Sequence, residues 1–127
     1  MPSRIQRRRT KGWRAPEGAV YIGRGTRWGN PWAVTFDRTR GWRVHLASDR
    51  SLTSDGIVGW WESRARAHEM AVEQFRLHIG PMGLYEYDDD TLAELRRDLA
   101  GRDLMCWCPE RLPCHADVLL ELANPTA

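Results

Sequence analysis

Three cysteines and a histidine crowd into one short segment near the C-terminus: Cys106, Cys108, Cys114 and His115, in LMCWCPERLPCHADVLLEL. In a strand, Cys106 and Cys108 point to the same face. The chain then returns with Cys114 and His115 at the start of a helix. Together they supply four soft or borderline ligands, the number that a structural zinc ion takes as Cys₃His. The spacing C-x-C-x₅-C-H is not that of a standard finger or ribbon, and an adjacent Cys and His must splay to reach one ion. A second reading uses the helix start alone. The helix dipole stabilises a thiolate there, which makes Cys114 a candidate nucleophile, His115 its acid or base, and Asp117 a third member in the same turn. These readings exclude one another, because a ligated Cys114 is not free to attack. A third reading leaves Cys106 and Cys108 as small buried hydrophobes of a central strand.

A second segment with chemical capacity is YIGRGTRWGNPW, residues 21–32. Gly23, Gly25 and Gly29 expose backbone N–H groups, and Arg24 and Arg27 flank them. Bare amides and guanidinium forks both suit a phosphate. Trp28 and Trp32 add faces on which a base can stack, and Asn30 lies between them. The segment lacks the Gly-Lys-Ser/Thr ending of a Walker loop and the G-x-G-x-x-G spacing of a dinucleotide fingerprint. The competing reading is a strand-to-loop turn whose glycines take positive φ.

Other candidates are weaker. His68 falls on the apolar stripe of a helix, the usual place of a hydrogen-bonded core histidine, and His45 and His78 are expected at the surface. Asp88, Asp89 and Asp90 precede a helix, where acids complement the macrodipole. No carboxylate pair or G-x-S-x-G elbow is evident.

The elements that must position these residues can be read from their periodicity. Residues 3–9 fit either a strand or, through Arg7, Arg8 and Arg9, a flexible basic arm covering residues 1–12. Ala19–Gly23 is a short buried strand. Trp32–Phe36 and Trp42–Leu46 alternate around DRTRG as a hairpin, and residues 47–57 form a polar loop. A helix is expected from Val58 to Ile79, with Trp61, Ala65, His68, Val72, Phe75 and Ile79 in one stripe and Gly80-Pro81 ending it. A second helix starts near Thr91, where Thr91 and Glu94 form a capping-box pattern, and turns Leu92, Leu95 and Leu99 to the core until Gly101. Asp103–Cys108 is apolar on both faces, as in a central strand of a covered sheet. A last helix runs from Cys114 or His115 to Asn124-Pro125. The order gives an α/β or α+β fold, a small sheet with about three helices packed on it.

Length and charge set the outer bounds. With 127 residues the chain makes one domain, residues 1–127. No internal repeat appears, no apolar stretch approaches the roughly 20 residues of a membrane span, and the basic start MPSRIQRRRTKGW lacks the apolar centre of a secretory signal. Three clustered cysteines, an odd number, point to a reducing cytoplasm rather than a disulfide framework. All but one of the 19 basic residues are arginine, the exception being Lys11. A GC-rich coding sequence accounts for much of that bias. The net charge is only +2, yet Arg4, Arg7, Arg8, Arg9, Lys11 and Arg14 gather at the start, so one face is basic and suits an anionic partner. Four of the seven tryptophans, Trp13, Trp28, Trp32 and Trp42, sit among arginines.

RIQRRRTKGW, YIGRGTRWGNPW and DLMCWCPERLPCHADVLLELAN together resemble an uncharacterised family, a domain of unknown function found in actinobacteria and in phages that infect them. The resemblance spans nearly the whole chain and is poorest from Thr35 to Ile57. It implies importance for Arg9, Lys11, Gly12 and Trp13, for Trp28, Gly29, Asn30 and Pro31, and for Cys106, Cys108, Pro109, Cys114, His115 and Asp117. The family's usual Phe after GNP is Trp32 here. A second uncharacterised family ends its Cys-His helix start with Arg, where this chain has Ala116. The resemblance implies no reaction, and whether the chain is an enzyme stays open. Two function classes lead, beside a blander third, a phage accessory protein that acts on a host protein. One is a nucleotide-binding or nucleotide- or nucleoside-processing protein, with Arg9, Lys11, Trp13, Arg24, Arg27, Trp28, Gly29 and Asn30 on the ligand and Cys114, His115 and Asp117 at the chemistry. The other is a nucleic-acid-binding module without catalysis, stapled by zinc on Cys106, Cys108, Cys114 and His115.

Overall fold

A computed structural model describes residues 2–48 and 56–125. The fold is a small α+β domain of two three-stranded sheets and three helices. Its first sheet is parallel, with β6 (Leu104–Cys106) between β1 (Arg4–Gln6) and β2 (Val20–Tyr21). Arg4–Gln6 in the N-terminal segment is therefore a strand. Arg7 N donates to the Cys106 carbonyl at 2.7 Å, and Leu104 N to that of Ser3 at 3.0 Å. All three β6 residues are buried, as its apolar sequence requires of a strand covered on both faces. The strand stops at Cys106, two residues short of expectation. Trp107 turns out to 39% exposure and Cys108 lies in the bend that follows.

The second sheet is antiparallel, in the order β3 (Trp32–Asp37), β4 (Gly41–Leu46) and β5 (Ile57–Trp61). The β3–β4 hairpin follows the expected pattern, with Phe36 opposite Trp42. Asp37 closes its turn by accepting from the amides of Thr39 and Arg40 at 2.8 and 3.1 Å. Gly41 has φ +97°, and a Cβ there would stand 2.7 Å from the Trp61 carbonyl oxygen, so the turn requires glycine.

The expected helix from Val58 is corrected at its start. Ile57–Trp61 is a strand, rich in β-branched and aromatic residues, with Trp61 paired to Trp42 and Trp60 to Arg43. The helix α1 runs from Arg64 to Ile79, and Ser63 caps it by accepting from Arg66 N at 3.2 Å. Its buried stripe is Ala67, Ala71, Phe75 and Ile79, spaced four apart; Ala65 is exposed and His68 half-buried. Helix α2 (Asp89–Leu99) also begins earlier than Thr91. Its cap is Asp88, whose carboxylate accepts from Thr91 N at 2.8 Å, so Thr91 is inside the first turn. Helix α3 (His115–Ala123) starts at the anticipated place, with Cys114 as its cap residue. The polar loop expected over residues 47–57 lies largely outside the described residues.

Two cores meet on α1. Phe75 and Ile79, in its C-terminal half, pack with Ile22, Leu95, Leu104 and Leu119 around the parallel sheet. Ala67 and Ala71, in its N-terminal half, pack with Trp32 and Val44 against the antiparallel sheet. The small alanines let that sheet approach closely. His45 corrects another expectation. It is 7% exposed, with Nδ1 donating to the Leu46 carbonyl at 2.9 Å and Nε2 3.2 Å from the Thr35 hydroxyl. His78 is half-buried and stacked on Trp32, ring centroids 4.7 Å apart. Among the described residues no helix is long and apolar enough to cross a membrane.

Candidate metal centre and its cleft

The end of β6 and the start of α3 bring the three cysteines together. Their sulfurs all lie within 4.8 Å of one another, a set that could hold a metal ion. Cys106 and Cys114 are buried, each 2% exposed, and their sulfurs are 2.9 Å apart. A tetrahedral ion with metal–sulfur bonds of about 2.3 Å keeps its sulfurs roughly 3.8 Å apart, so loading requires this pair to open by about 1 Å. The Cys108 thiol is pulled well below the ordinary thiol range by the neighbouring thiols of Cys106 and Cys114, helped by the positive charges of Arg4 and Arg64. Cys106 is pushed up by Cys108 and by burial, against a lowering contribution from Cys114, and Cys114 is pushed up by both other thiols and by burial. Thiolate character is thus concentrated on the Cys108 sulfur.

His115 stands beside this group. Its Nε2 is 2.9 Å from the Ile22 carbonyl oxygen. A carbonyl only accepts, so Nε2 carries the proton and Nδ1 keeps its lone pair, 3.6 Å from Cys114 Sγ. A ring nitrogen anchored on a backbone carbonyl is the usual support of a metal-binding histidine, but here Nδ1 contacts the Cys114 sulfur and His115 is not among the ligand atoms that lie within 4.8 Å of one another. Burial lowers the His115 pKa and keeps the imidazole neutral, and Phe75 packs against the ring at 5.2 Å between centroids.

Arg4 holds the loop between Cys108 and Cys114 in place. Only 11% exposed, it donates to the carbonyls of Pro109 and Glu110 and meets the Asp117 carboxylate at 3.2 Å. Asp117 is therefore drawn to Arg4 and solvent, and it does not join the sulfurs.

The cysteines form one wall of a cavity of about 430 Å³ between the two sheets. Arg24, Asn30, Trp32, His68, Tyr21 and Trp107 also line it. The loop from Gly23 to Asn30 reaches the cavity, but its amides are partly occupied. Thr26 N donates to the Gly23 carbonyl at 3.2 Å and Gly29 N to that of Thr26 at 3.1 Å. Gly29 is needed because a Cβ would come within 2.7 Å of the Gly23 carbonyl oxygen. Asn30 pins the loop between helix and sheet, donating to the Ala71 carbonyl at 3.2 Å and accepting from Trp32 N at 2.9 Å. Arg24 remains exposed on the rim.

The other residues singled out by sequence sit elsewhere. Trp28 is 5% exposed, edge-on to Tyr87 in the core, so its ring offers no face to the cavity. Arg27 lies over Trp28 and pairs with Glu94. Arg9, Lys11 and Trp13 are outside the cavity lining, and Arg9 instead lies over Trp107 at 4.9 Å. Sequence reasoning did not place His68, Tyr21 and Trp107 at the cavity, nor Arg4 on the loop after Cys108. The stripe assigned to α1 gave His68 a core role, whereas it lines the cavity with its pKa lowered by burial and the nearby Arg64. Trp107 had a legible signal, since it lies between two cysteines, but only the early end of β6 turns it outward.

A small α+β domain with three thiols in reach of one ion, set in the wall of a cleft, defines a cysteine-cluster protein with the capacity to hold a metal. The chain belongs to the family described as a domain of unknown function (DUF4326), whose model matches residues 5–125. No curated protein and no solved structure matches it.

Proposed function

We propose that the protein is a thiolate-liganded metal protein that binds a nucleotide or nucleoside in the cleft beside the ion. The observation that carries this reading is the placement of Cys106, Cys108 and Cys114, mutually within 4.8 Å, in the wall of a cavity of about 430 Å³. Cavities of this size suit a small ligand. A cysteine set closed off in the core would serve only as a staple. Zinc is the ion best matched to three thiols and a neutral imidazole. His115 is the candidate fourth ligand from the α3 start, and its use would make the site structural; without it the three thiols alone would hold the ion. An ion held by these thiols would supply Lewis acidity. Arg24 on the rim supplies a guanidinium for phosphate, and Asn30 fixes the loop that carries it. Burial of Cys114 and its contact with Cys106 favour the ligand role over the nucleophile role.

Elemental analysis of purified, untagged protein tests the metal directly. One zinc per chain is expected, lost in both Cys106→Ser and Cys108→Ser. Metal-free wild-type protein that stays folded with three titratable thiols would remove this reading. On metal-loaded protein, millimolar nucleotides and nucleosides are expected to raise the melting temperature through binding to the native state. An unmoved transition across the panel would confine the site to a structural role.

A further inference from the structure

Beside the cleft, two aromatic rings and two guanidiniums form a continuous cluster. The Arg7 guanidinium lies 4.9 Å from the Tyr21 ring centroid and 5.0 Å from that of Trp107, and Arg9 lies 4.9 Å from the same Trp107 ring. These residues come from three neighbouring segments: the ends of β1 and β2, and the bend after β6. The parallel pairing of β1, β6 and β2 places them at one end of the sheet. Arg8, Arg9, Lys11, Arg14 and Arg24 are exposed. Among the described residues none of these five, nor Arg7, forms an ion pair; the pairs present are made by other arginines. Tyr21 and Trp107 also line the cavity.

We infer that this edge is a docking track for a single-stranded polynucleotide, running over Arg9 and Trp107 toward the cleft. Exposed cations without carboxylate partners match a phosphate backbone. Stacked guanidiniums are held flat, with their N–H edges still available for phosphate. Trp107 is 39% exposed beneath these guanidiniums, and an aromatic ring among arginines is the recurrent solution for single-strand binding. A duplex hides its base faces, so it would use the charge but not the ring. The inference goes beyond the metal reading and does not depend on it, since no cysteine takes part in the track.

The test uses full-length protein as purified, with a labelled oligothymidylate and an oligouridylate of about 12 nucleotides, a duplex of equal length, and polyglutamate as an acidic-polymer control. Single strands are expected to quench tryptophan fluorescence and to bind more tightly than the duplex. Trp107→Ala should weaken binding roughly ten-fold and Trp107→Phe should restore most of it. Arg9→Gln should lower the salt slope by about 0.7, the share of one phosphate contact on a single strand. Arg43→Gln removes a comparable arginine, which lies over Trp60 on the other sheet, and should change neither quantity. The inference is overturned by no binding at low salt, by duplex or polyglutamate binding as tight as single strand, or by equal losses from Arg9→Gln and Arg43→Gln. Trp107→Ala keeping its melting temperature separates lost binding from lost folding. Oligonucleotide binding retained in metal-free Cys106→Ser would leave this track standing while the metal reading fails.

Discussion

The two sheets solve the same problem by different means. The antiparallel sheet has strands of six, six and five residues, joined in sequence, and stabilises itself through cross-strand pairs such as Phe36 with Trp42 and Trp42 with Trp61. The parallel sheet has strands of three, two and three residues, brought together from the two ends of the chain. Such short strands have little stability of their own. They are held from outside, by helix packing, by the Ser3 amide on the Asp103 carboxylate at 2.8 Å, and by Arg4 on the loop after Cys108. The cysteine cluster sits at the end of this second kind of sheet. Regularity is lowest where the chemistry is gathered, because loops leaving short strands can turn several side chains onto one point.

This contrast gives the largest expected effect. If an ion joins Cys106, Cys108 and Cys114, it is the main tie at the end of the parallel sheet, and structural zinc contributes folding free energy directly. Chelation should then speed amide hydrogen exchange at Arg7, Leu104 and Ile22 by orders of magnitude, with a much smaller change across β3 and β4. Uniform exchange through both sheets after chelation would show that the halves unfold as one unit and would break the comparison.

A smaller effect is expected from substitutions that leave the sulfurs alone. Arg4→Ala removes charged hydrogen bonds to two carbonyls and a contact with Asp117, at a cost of roughly 2–3 kcal/mol. Because it frees the loop between Cys108 and Cys114, it should also weaken metal affinity. Val44 is fully buried in the antiparallel half, and Val44→Ala should cost about 1.5–3 kcal/mol with metal affinity unchanged. Denaturant melts read alongside competition with a chromogenic chelator would decide. Equal losses of metal affinity in both variants would mean that the site responds to global stability rather than to local support.

The same contrast explains what the sequence made legible. The hairpin was readable because alternation and a short turn are local signals, and the α3 start was readable from its Cys-His step. The parallel sheet was legible only in part: β6 reads as a central strand, but its pairing of Arg4 with Leu104 links residues 100 apart. Nothing near Arg4 signals that its guanidinium reaches carbonyls at Pro109 and Glu110. The start of α1 was misplaced because Val58 and Trp61 fit a helical spacing as well as a strand, and only the partner β4 decides between them. Within the site, the cysteines were found from spacing alone. The roles of Trp28 and Arg27 were not, because Arg and Trp beside glycine look alike whether they face a ligand or the core. Here Trp28 packs inward on Tyr87, and Arg27 covers its outer face.

The smallest effect concerns that covered core. Burial raises the Tyr87 pKa from its ordinary value of 10.0 to about 12, as its ring packs between Trp28 and Phe75 on the parallel-sheet side. The folded protein then holds the phenol proton more tightly than the unfolded chain does. This contribution is complete below pH 10, where both states are protonated, and is lost as pH rises from 10 toward 12. Cysteine and lysine also titrate on that side of neutrality, so the informative quantity is the difference between wild type and Tyr87→Phe. Wild type should lose a few degrees more in melting temperature than the variant across this window. Parallel curves would mean that the ring opens to solvent while the fold persists, placing the α1–α2 corner among the loosely held parts of this half. A steeper wild-type curve would show that this corner stays closed and that looseness on the parallel side is confined to the strand ends near the sulfurs.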